Sequence, residues 1–153
     1  MRTLTLALLL FTFNVNAETR IEAGPTYLSD ESSDGYMIVV SERFDRWDLG
    51  IGHVSEQDVL PGWEKRHGYG RVHLKRNSFI YGQRIWTKGK FELGLGLAYF
   101  DNTNRALGQR TTYPVVIGWN FNKDLSIRLR HFSNAGGATP NLGQDAITIG
   151  WSF

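Results

Sequence analysis

The last eight residues of the chain, Ala146-Ile-Thr-Ile-Gly-Trp-Ser-Phe153, alternate strictly between large apolar and small side chains. The large side chains occupy the odd positions, which are Ile147, Ile149, Trp151 and Phe153. A period of two residues is typical of a β-strand that presents two different faces. The C-terminal stretch therefore predicts a strand with one apolar face that ends in aromatic rings, and one face of small or polar side chains.

The same alternation recurs upstream in short segments that are separated by turn signals, and no segment shows a convincing helical period. The further predicted strands are Ile21–Leu28, Tyr36–Phe44, Trp47–Ser55, Phe79–Trp86, Phe91–Tyr99, Tyr113–Phe121 and Leu125–Ser133. The pattern leaves the facing of Tyr36–Phe44 and of Phe79–Trp86 open. Together with the last segment, about eight strands of about ten residues fit the chain, which is the smallest size of a membrane barrel.

The sizes of the two faces distinguish a soluble sandwich from a membrane barrel. A soluble sandwich would bury its large apolar face and show a polar face to water, whereas a membrane barrel turns the apolar face outward, carries aromatic girdles and keeps a polar interior. Closure is required there, because an open sheet edge in hydrocarbon leaves backbone groups unpaired. The pattern predicts an all-β, eight-stranded antiparallel transmembrane β-barrel, and the alternative is a secreted lipocalin-like barrel. Phe153 favours the first, because a final aromatic residue resembles the assembly signal of outer-membrane barrels.

Charged residues on the small face would lie inside such a barrel. The lumen of an eight-stranded barrel is filled by side chains and is not a pore. We therefore expect the interior charges to pair with one another across the lumen. These residues are Glu22, Asp48, Arg84, Glu92, Arg128 and Arg130.

The amino terminus has the features of a secretory signal. Arg2 precedes the apolar run Leu4–Phe11, and Val15-Asn16-Ala17 offers small residues where signal peptidase reads the chain. The apolar run is too short to span a bilayer as a helix. We expect cleavage after Ala17, which leaves residues 18–153 as one barrel domain, and we expect that domain in the outer membrane.

The composition argues against several function classes. The chain has no cysteine, so no disulfide is expected despite export. Its 17 basic and 15 acidic residues give a formal net charge of +2, without the concentrated basic face that nucleic-acid binding requires. The four histidines do not form a ligand set with nearby carboxylates. We expect no metal, no cofactor and no nucleic-acid partner.

A polar pair interrupts the apolar face at the end of the segment Leu125–Ser133. His131 and Ser133 share the odd, outward face with Leu129. Short turns of membrane barrels lie on the periplasmic side and long loops lie outside. The tight turn at 122–124 and the long connection at 134–144 therefore place the pair at the outer end of the barrel. Polar groups at membrane depth are expensive and usually functional.

The following strand offers a carboxylate to this histidine. We expect His131 to pair across the hairpin with Asp145. The same register places Leu129 opposite Ile147, and all four residues face outward. Ser133 lies two residues along, on the other side of the histidine. A serine nucleophile, a histidine base and an orienting carboxylate form a catalytic triad, and the alternative is a group of interfacial polar residues without a role.

The hairpin that carries these residues reads His131-Phe-Ser-Asn-Ala-Gly136, followed by Pro140-Asn141 and Gly143-Gln-Asp145. It closely resembles the active-site hairpin of the lipid A 3-O-deacylase family (PagL), and the strong match covers roughly the last third of the chain. Members of that family are eight-stranded outer-membrane barrels that remove the ester-linked acyl chain at position 3 of lipid A. The resemblance implies that this chain is an outer-membrane esterase with lipid A, within lipopolysaccharide, as its substrate.

The resemblance also implies a role for each matching residue. It implies Ser133 as the nucleophile and His131 as the base, with an oxyanion hole from the backbone N–H of Gly136 and the side chain of Asn141. The acid of the family is a glutamate, and this chain has Asp145 there, which is one methylene shorter. The sequence leaves open whether the protein forms a homodimer. The rival function is that of a non-catalytic small barrel, acting as an adhesin, a resistance protein or a structural element.

A second outward His-x-Ser occurs at the end of Trp47–Ser55. His53 and Ser55 repeat the spacing of the first pair, and Glu56 or Asp58 could supply a carboxylate. The stretch lacks the Asn-Ala-Gly and Pro-Asn companions that would build an oxyanion hole. A second catalytic site and a plain strand end at the interface are the two interpretations.

A basic stretch spans residues 65–76, in or beside a long outer connection. Arginine and lysine bind phosphate through charge-assisted hydrogen bonds, and lipid A carries phosphates. The alternative is a solvated charged loop. The residues concerned are Lys65, Arg66, His67, Arg71, His73, Lys75 and Arg76.

Overall fold

The computed structural model describes residues 17–28, 31–58, 73–103, 107–137 and 143–153. Within those ranges the chain forms ten β-strands. They are β1 (Glu18–Leu28), β2 (Glu31–Phe44), β3 (Trp47–Val54), β4 (Gln57–Asp58), β5 (His73–Leu74), β6 (Asn77–Lys88), β7 (Phe91–Phe100), β8 (Thr111–Asn120), β9 (Leu125–Ser133) and β10 (Gln144–Ser152). None of the described segments is a helix long and apolar enough to cross a membrane.

Eight of these described strands close into a barrel in the order β1-β10-β9-β8-β7-β6-β3-β2. Neighbouring strands are antiparallel throughout, and the β1–β10 pair, with Ile21 opposite Trp151, closes the cylinder. The short strands β4 and β5 pair with each other outside the barrel sheet. Among the described residues, closure leaves the barrel sheet without an open edge, as a lipid environment requires. The predicted all-β, eight-stranded antiparallel barrel is confirmed.

The outer wall is apolar and carries aromatic rings at both ends. In β7, β9 and β10 the odd positions face outward, as expected: Leu95, Ile127 and Ile149 are 44%, 37% and 63% exposed. The long-connection end of the wall carries Tyr36, Tyr99 and Tyr113, and the short-turn end carries Trp47, Trp86, Trp119 and Trp151. Amphipathic rings of this kind mark the two boundaries of a membrane-spanning wall.

Strands β2 and β6, whose facing the sequence left open, turn their even positions outward. Ile38 and Ile80 are exposed on the wall. The odd positions of β6 point into the lumen, and three of them, Phe79, Tyr81 and Ile85, are themselves large and apolar or aromatic. Because both faces of this strand carry large apolar side chains, its alternation does not reveal which face meets the lipid.

The facing of β6 corrects one prediction. Arg84 occupies an even position and is exposed on the outer wall, so its expected place among the interior charges is wrong. Its guanidinium carbon lies 5.5 Å from the centroid of the Trp86 ring, on the same face. Gln83, the uncharged neighbour of Arg84, points into the lumen instead. It is fully buried, and its Nε2 donates to Asp48 at 2.7 Å.

The other five predicted interior charges are buried and pair across the lumen. Arg128 Nη1 lies 3.2 Å from Glu22 and 3.4 Å from Asp48, and Arg128 Nη2 also donates to Glu92. Arg130 Nη2 donates to both carboxylate oxygens of Glu22 at 3.0 Å. Buried charges need such partners, because an uncompensated charge in the interior is strongly destabilising. These ion pairs fill the middle of the barrel.

An aromatic layer lies above the ion pairs, toward the end with the long connections. The ring centroid of Phe79 lies 4.9 Å from that of Phe100 and 5.0 Å from that of Phe132. Phe132 is fully buried and stands between His131 and Ser133 on β9. Since successive side chains of a strand point to opposite faces, the buried phenylalanine fixes both of its polar neighbours on the outer wall.

Candidate active site

Strands β9 and β10 bring His131 opposite Asp145, and the same register pairs Leu129 with Ile147. This is the register expected from the alternation. His131 Nδ1 lies 2.6 Å from Asp145 Oδ1, and the two side chains are 40% and 24% exposed. The distance is at the short end of the range for a charge-assisted hydrogen bond. The aspartate therefore reaches the imidazole although it is one methylene shorter than glutamate.

This hydrogen bond bears on which ring nitrogen of His131 carries the proton. A neutral imidazole carries a proton on one nitrogen and a lone pair on the other. With the proton on Nδ1 and donated to Asp145, Nε2 is the basic nitrogen. The carboxylate also fixes the orientation of the ring. In this tautomer the lone pair of the His131 ring is on Nε2, on the outer wall.

Ser133 lies two residues along β9 from this base, on the same face and opposite Tyr113 of β8. It is half-buried. Its Oγ accepts a hydrogen bond of 3.0 Å from the backbone N–H of Ala135, which has a positive φ of 52°. The serine therefore lies where β9 ends and a tight turn begins.

That turn is anchored by Asn134, a residue for which the sequence predicted no role. The side chain is 1% exposed, its Nδ2 donates to the backbone oxygen of Leu107 at 2.5 Å, and its backbone oxygen accepts from Gly137 at 3.0 Å. Asn134 thereby ties the end of β9 to the connection between β7 and β8. The signals in the sequence were its place directly after Ser133 and within the Asn-Ala-Gly stretch of the hairpin.

Of the two predicted oxyanion donors, Gly136 lies among the described residues. Gly136 has a φ of 79°, a left-handed conformation that glycine adopts without strain, and it is exposed. Its backbone N–H donates to Asn134 Oδ1 at 2.9 Å. Asn141 lies outside the residues that the structure describes. The arrangement brings together His131 and Asp145, with Ser133 and Gly136 at the same end of β9.

The second His-x-Ser pair is arranged otherwise. His53 Nδ1 lies 3.1 Å from Ser78 Oγ of β6, and not beside Ser55. The hydroxyl of Ser55 instead donates to the backbone oxygen of Glu56 at 3.0 Å and accepts from the N–H of Tyr36 at 2.9 Å. Ser55 thus serves the local backbone, which favours the interpretation as a strand end.

The carboxylates considered for His53 are bound elsewhere. His73 Nδ1 lies 2.8 Å from Asp58, and His73 Nε2 lies 3.5 Å from Glu56. The hydrogen bond to Asp58, with a smaller contribution from Glu56, raises the pKa of His73 above its ordinary value. Of the basic stretch, residues 65–72 lie outside the described ranges, and Lys75 and Arg76 are exposed. Among the residues described, no group of three side chains is suited to hold a metal ion.

Comparison with known proteins identifies the family. The family model of the lipid A 3-O-deacylases (PagL) matches residues 35–153 of the chain. The chain belongs to the PagL family. The match extends well beyond the hairpin on which the resemblance rested, into the first third of the chain.

A solved structure agrees with this assignment at the level of the fold. The crystal structure of the outer membrane enzyme PagL superposes with a TM-score of 0.53 and 16% sequence identity, covering 89% of this chain and 98% of that chain. A search of curated proteins finds no match. Membership of the PagL family and the closed barrel together point to the outer membrane as the location of the protein.

Proposed function

We propose that the protein is an outer-membrane serine esterase that removes the ester-linked acyl chain at position 3 of lipid A. The observation that carries the proposal is the hydrogen bond of 2.6 Å between His131 and Asp145 on the outer wall. Ser133 lies on the same strand and face, and the chain belongs to the PagL family. Ser133 is the nucleophile, His131 the general base and Asp145 the orienting acid.

The proposed reaction follows from these roles. Ser133 Oγ attacks the ester carbonyl carbon while His131 Nε2 takes the hydroxyl proton, and Asp145 stabilises the imidazolium that forms. The tetrahedral intermediate collapses, the sugar oxygen leaves, and it takes the proton from His131. Water then attacks the acyl-enzyme with His131 again as the base, which releases a fatty acid and regenerates Ser133. No cofactor takes part in either half-reaction.

The negative charge that develops on the carbonyl oxygen requires hydrogen-bond donors, which usually give the largest catalytic stabilisation. We assign this task to the backbone N–H of Gly136 and to the side chain of Asn141. The Gly136 N–H already has an acceptor in Asn134 Oδ1. The substrate oxygen would take the place of that acceptor through a small rotation of the turn, which the glycine backbone permits.

The position on the wall suits a substrate that stays in the membrane. Along the strands below the site, exposed Leu129 and Ile147 continue the outward column, and they offer an apolar surface for the acyl chain that is cleaved. Tyr113, beside Ser133, marks the boundary of the wall. The ester of a lipid A molecule in the outer leaflet would lie at this boundary, with its acyl chains along the wall.

The test is mass spectrometry of lipid A from cells that express the protein. The expected result is lipid A that lacks one 3-hydroxy fatty acid, at position 3, and unaltered lipid A with a Ser133→Ala variant. Ser55→Ala is the matched control, since it removes a serine hydroxyl that follows β3 at the same end of the barrel as Ser133. Lipid A from cells with this variant should match that from cells with the parent protein. Unaltered lipid A from cells with correctly assembled parent protein would refute the proposed function.

A further inference from the structure

Arg84 is a charged side chain on the lipid-facing wall that the esterase site does not use. Its strand β6 lies four positions from β10 in the barrel order, which is the opposite side of an eight-stranded cylinder. The register places Arg84 opposite Trp47 of β3 and opposite Leu95 of β7. Trp86 is the next outward residue on β6, and its ring centroid lies 5.5 Å from the guanidinium carbon.

The depth of Arg84 follows from these neighbours. Trp47 is the first residue of β3, directly after the short turn formed by Asp45 and Arg46. The backbone N–H of Ile85 donates to the oxygen of Arg46 at 2.7 Å, which fixes β6 beside that turn. Arg84 therefore lies within the tryptophan girdle at the short-turn end of the barrel, at the level where lipid headgroups meet the acyl chains.

The surroundings of Arg84 provide rings but no counter-charge. Among the described residues, no carboxylate forms an ion pair with it, and its contact is the Trp86 ring. A charge on the lipid face is destabilising in proportion to its depth, and an arginine there gains most from an anion that the membrane itself supplies. The exposed Lys88 continues the same face beyond Trp86 and adds a second positive charge toward the headgroups.

We propose that Arg84, flanked by Trp47 and Trp86, binds the phosphate of a glycerophospholipid in the leaflet that meets the short-turn end. The planar guanidinium presents a rigid fork of N–H donors that matches two phosphate oxygens. The Trp86 ring holds the guanidinium by a cation–π contact. The acyl chains of the bound lipid lie along the apolar wall above, where Ile80 and Leu97 are 60% and 55% exposed.

The proposal is tested by native mass spectrometry of the purified barrel in detergent, with phosphatidylglycerol as the probe. The parent protein should retain the lipid, and Arg84→Gln should retain it about tenfold more weakly, as the loss of a charge-assisted hydrogen bond predicts. Lys123→Gln is the matched control, because Lys123 is an exposed cation in the turn between β8 and β9 at the same end. The control should retain the lipid like the parent protein.

Two further arms separate the lipid from other ligands. Diacylglycerol, which lacks the phosphate, should not be retained, and inorganic phosphate at the same concentration should not displace phosphatidylglycerol. Equal retention of phosphatidylglycerol by Arg84→Gln and by the parent protein overturns the proposal. Displacement of phosphatidylglycerol by inorganic phosphate shows a site for free anions and overturns its assignment to a phospholipid. Arg84→Gln should leave esterase activity unchanged, because the residue lies on the opposite side of the barrel, and this readout shows that the variant is folded.

Discussion

Replacement of Asp145 by asparagine tests the proposed triad most sharply. The substitution keeps the size and shape of the side chain, and its amide oxygen can still accept from His131 Nδ1. What it removes is the negative charge 2.6 Å from the imidazole. The variant therefore separates the charge of the acid from its place in the structure, because the packing of β10 is not changed.

The expected loss can be estimated from the contact. A hydrogen bond to a charged group is worth about 1.5–3 kcal/mol, and each 1.36 kcal/mol of barrier changes a rate tenfold. The corresponding loss in kcat is roughly ten- to a hundredfold. His131 is 40% exposed, and solvent screens a pair that is only half-buried. We therefore expect a loss near the lower end of this range.

The assay is the release of a 3-hydroxy fatty acid from lipid A in detergent, with KM and kcat determined separately. The loss should appear in kcat, since the imidazolium forms only as the reaction proceeds. Asp145→Glu is the companion variant, because it restores the acid of the PagL family and keeps the charge. It should retain much more activity than the asparagine variant. An asparagine variant with undiminished kcat would show that Asp145 is not the orienting acid.

Four further predictions concern the site and its supports. Ser133→Ala and His131→Ala should each nearly abolish fatty acid release, and the double variant should be little worse than either, because triad members act as a unit; additive losses would contradict a shared role. Glu22→Gln should lower the free energy of unfolding by about 3–5 kcal/mol, because it leaves two buried arginines without full compensation; urea titration of the barrel in detergent measures this, and an unchanged midpoint contradicts it. The hydrogen bond to Asp58 raises the pKa of His73. The charged His73–Asp58 pair should therefore hold β5 to β4 fully at a pH below the unfolded histidine pKa of about 6.5, and this stabilisation should be lost as the pH rises through the raised pKa. An NMR titration that gives the His73 ring the pKa of a free histidine would contradict this. Asn134→Asp keeps the acceptor for the Gly136 N–H but replaces the donor to Leu107 by a buried carboxylate oxygen that faces the Leu107 oxygen, so fatty acid release and the free energy of unfolding should both fall; full activity would contradict the anchoring role.

The fold could be predicted from the C-terminal half because its alternation is unambiguous. Along most of β7, β9 and β10 large apolar residues occupy one face and small, polar or charged residues occupy the other, with Phe100 and Phe132 as the large inward residues at the long-connection end. A shift of one residue would turn every side chain to the wrong face. The pairing of Ile127 with Ile149, and with it that of His131 with Asp145, then follows from register alone.

The facing of β6 could not be predicted in the same way, because the lumen is not uniformly polar. Its middle holds the ion pairs of Arg128 and Arg130, but its upper part is closed by rings such as Phe79. Strand β6 contributes Phe79, Tyr81 and Ile85 to the lumen, so it carries large apolar residues on both faces. The misplaced Arg84 is a consequence of this two-layered interior, which a rule of polar residues inside and apolar residues outside does not describe.

Spacing along the chain does not by itself identify the partners of the two histidines. Two outward His-x-Ser pairs look alike along the chain, but the partner of each histidine comes from a neighbouring strand: Asp145 for His131 and Ser78 for His53. For the first pair the neighbour is the next strand in sequence, joined by a hairpin, so its register could be derived. For His53 the neighbour β6 follows a long connection, and no spacing fixes that register. A triad in a barrel wall is therefore readable from sequence only where its members share one hairpin.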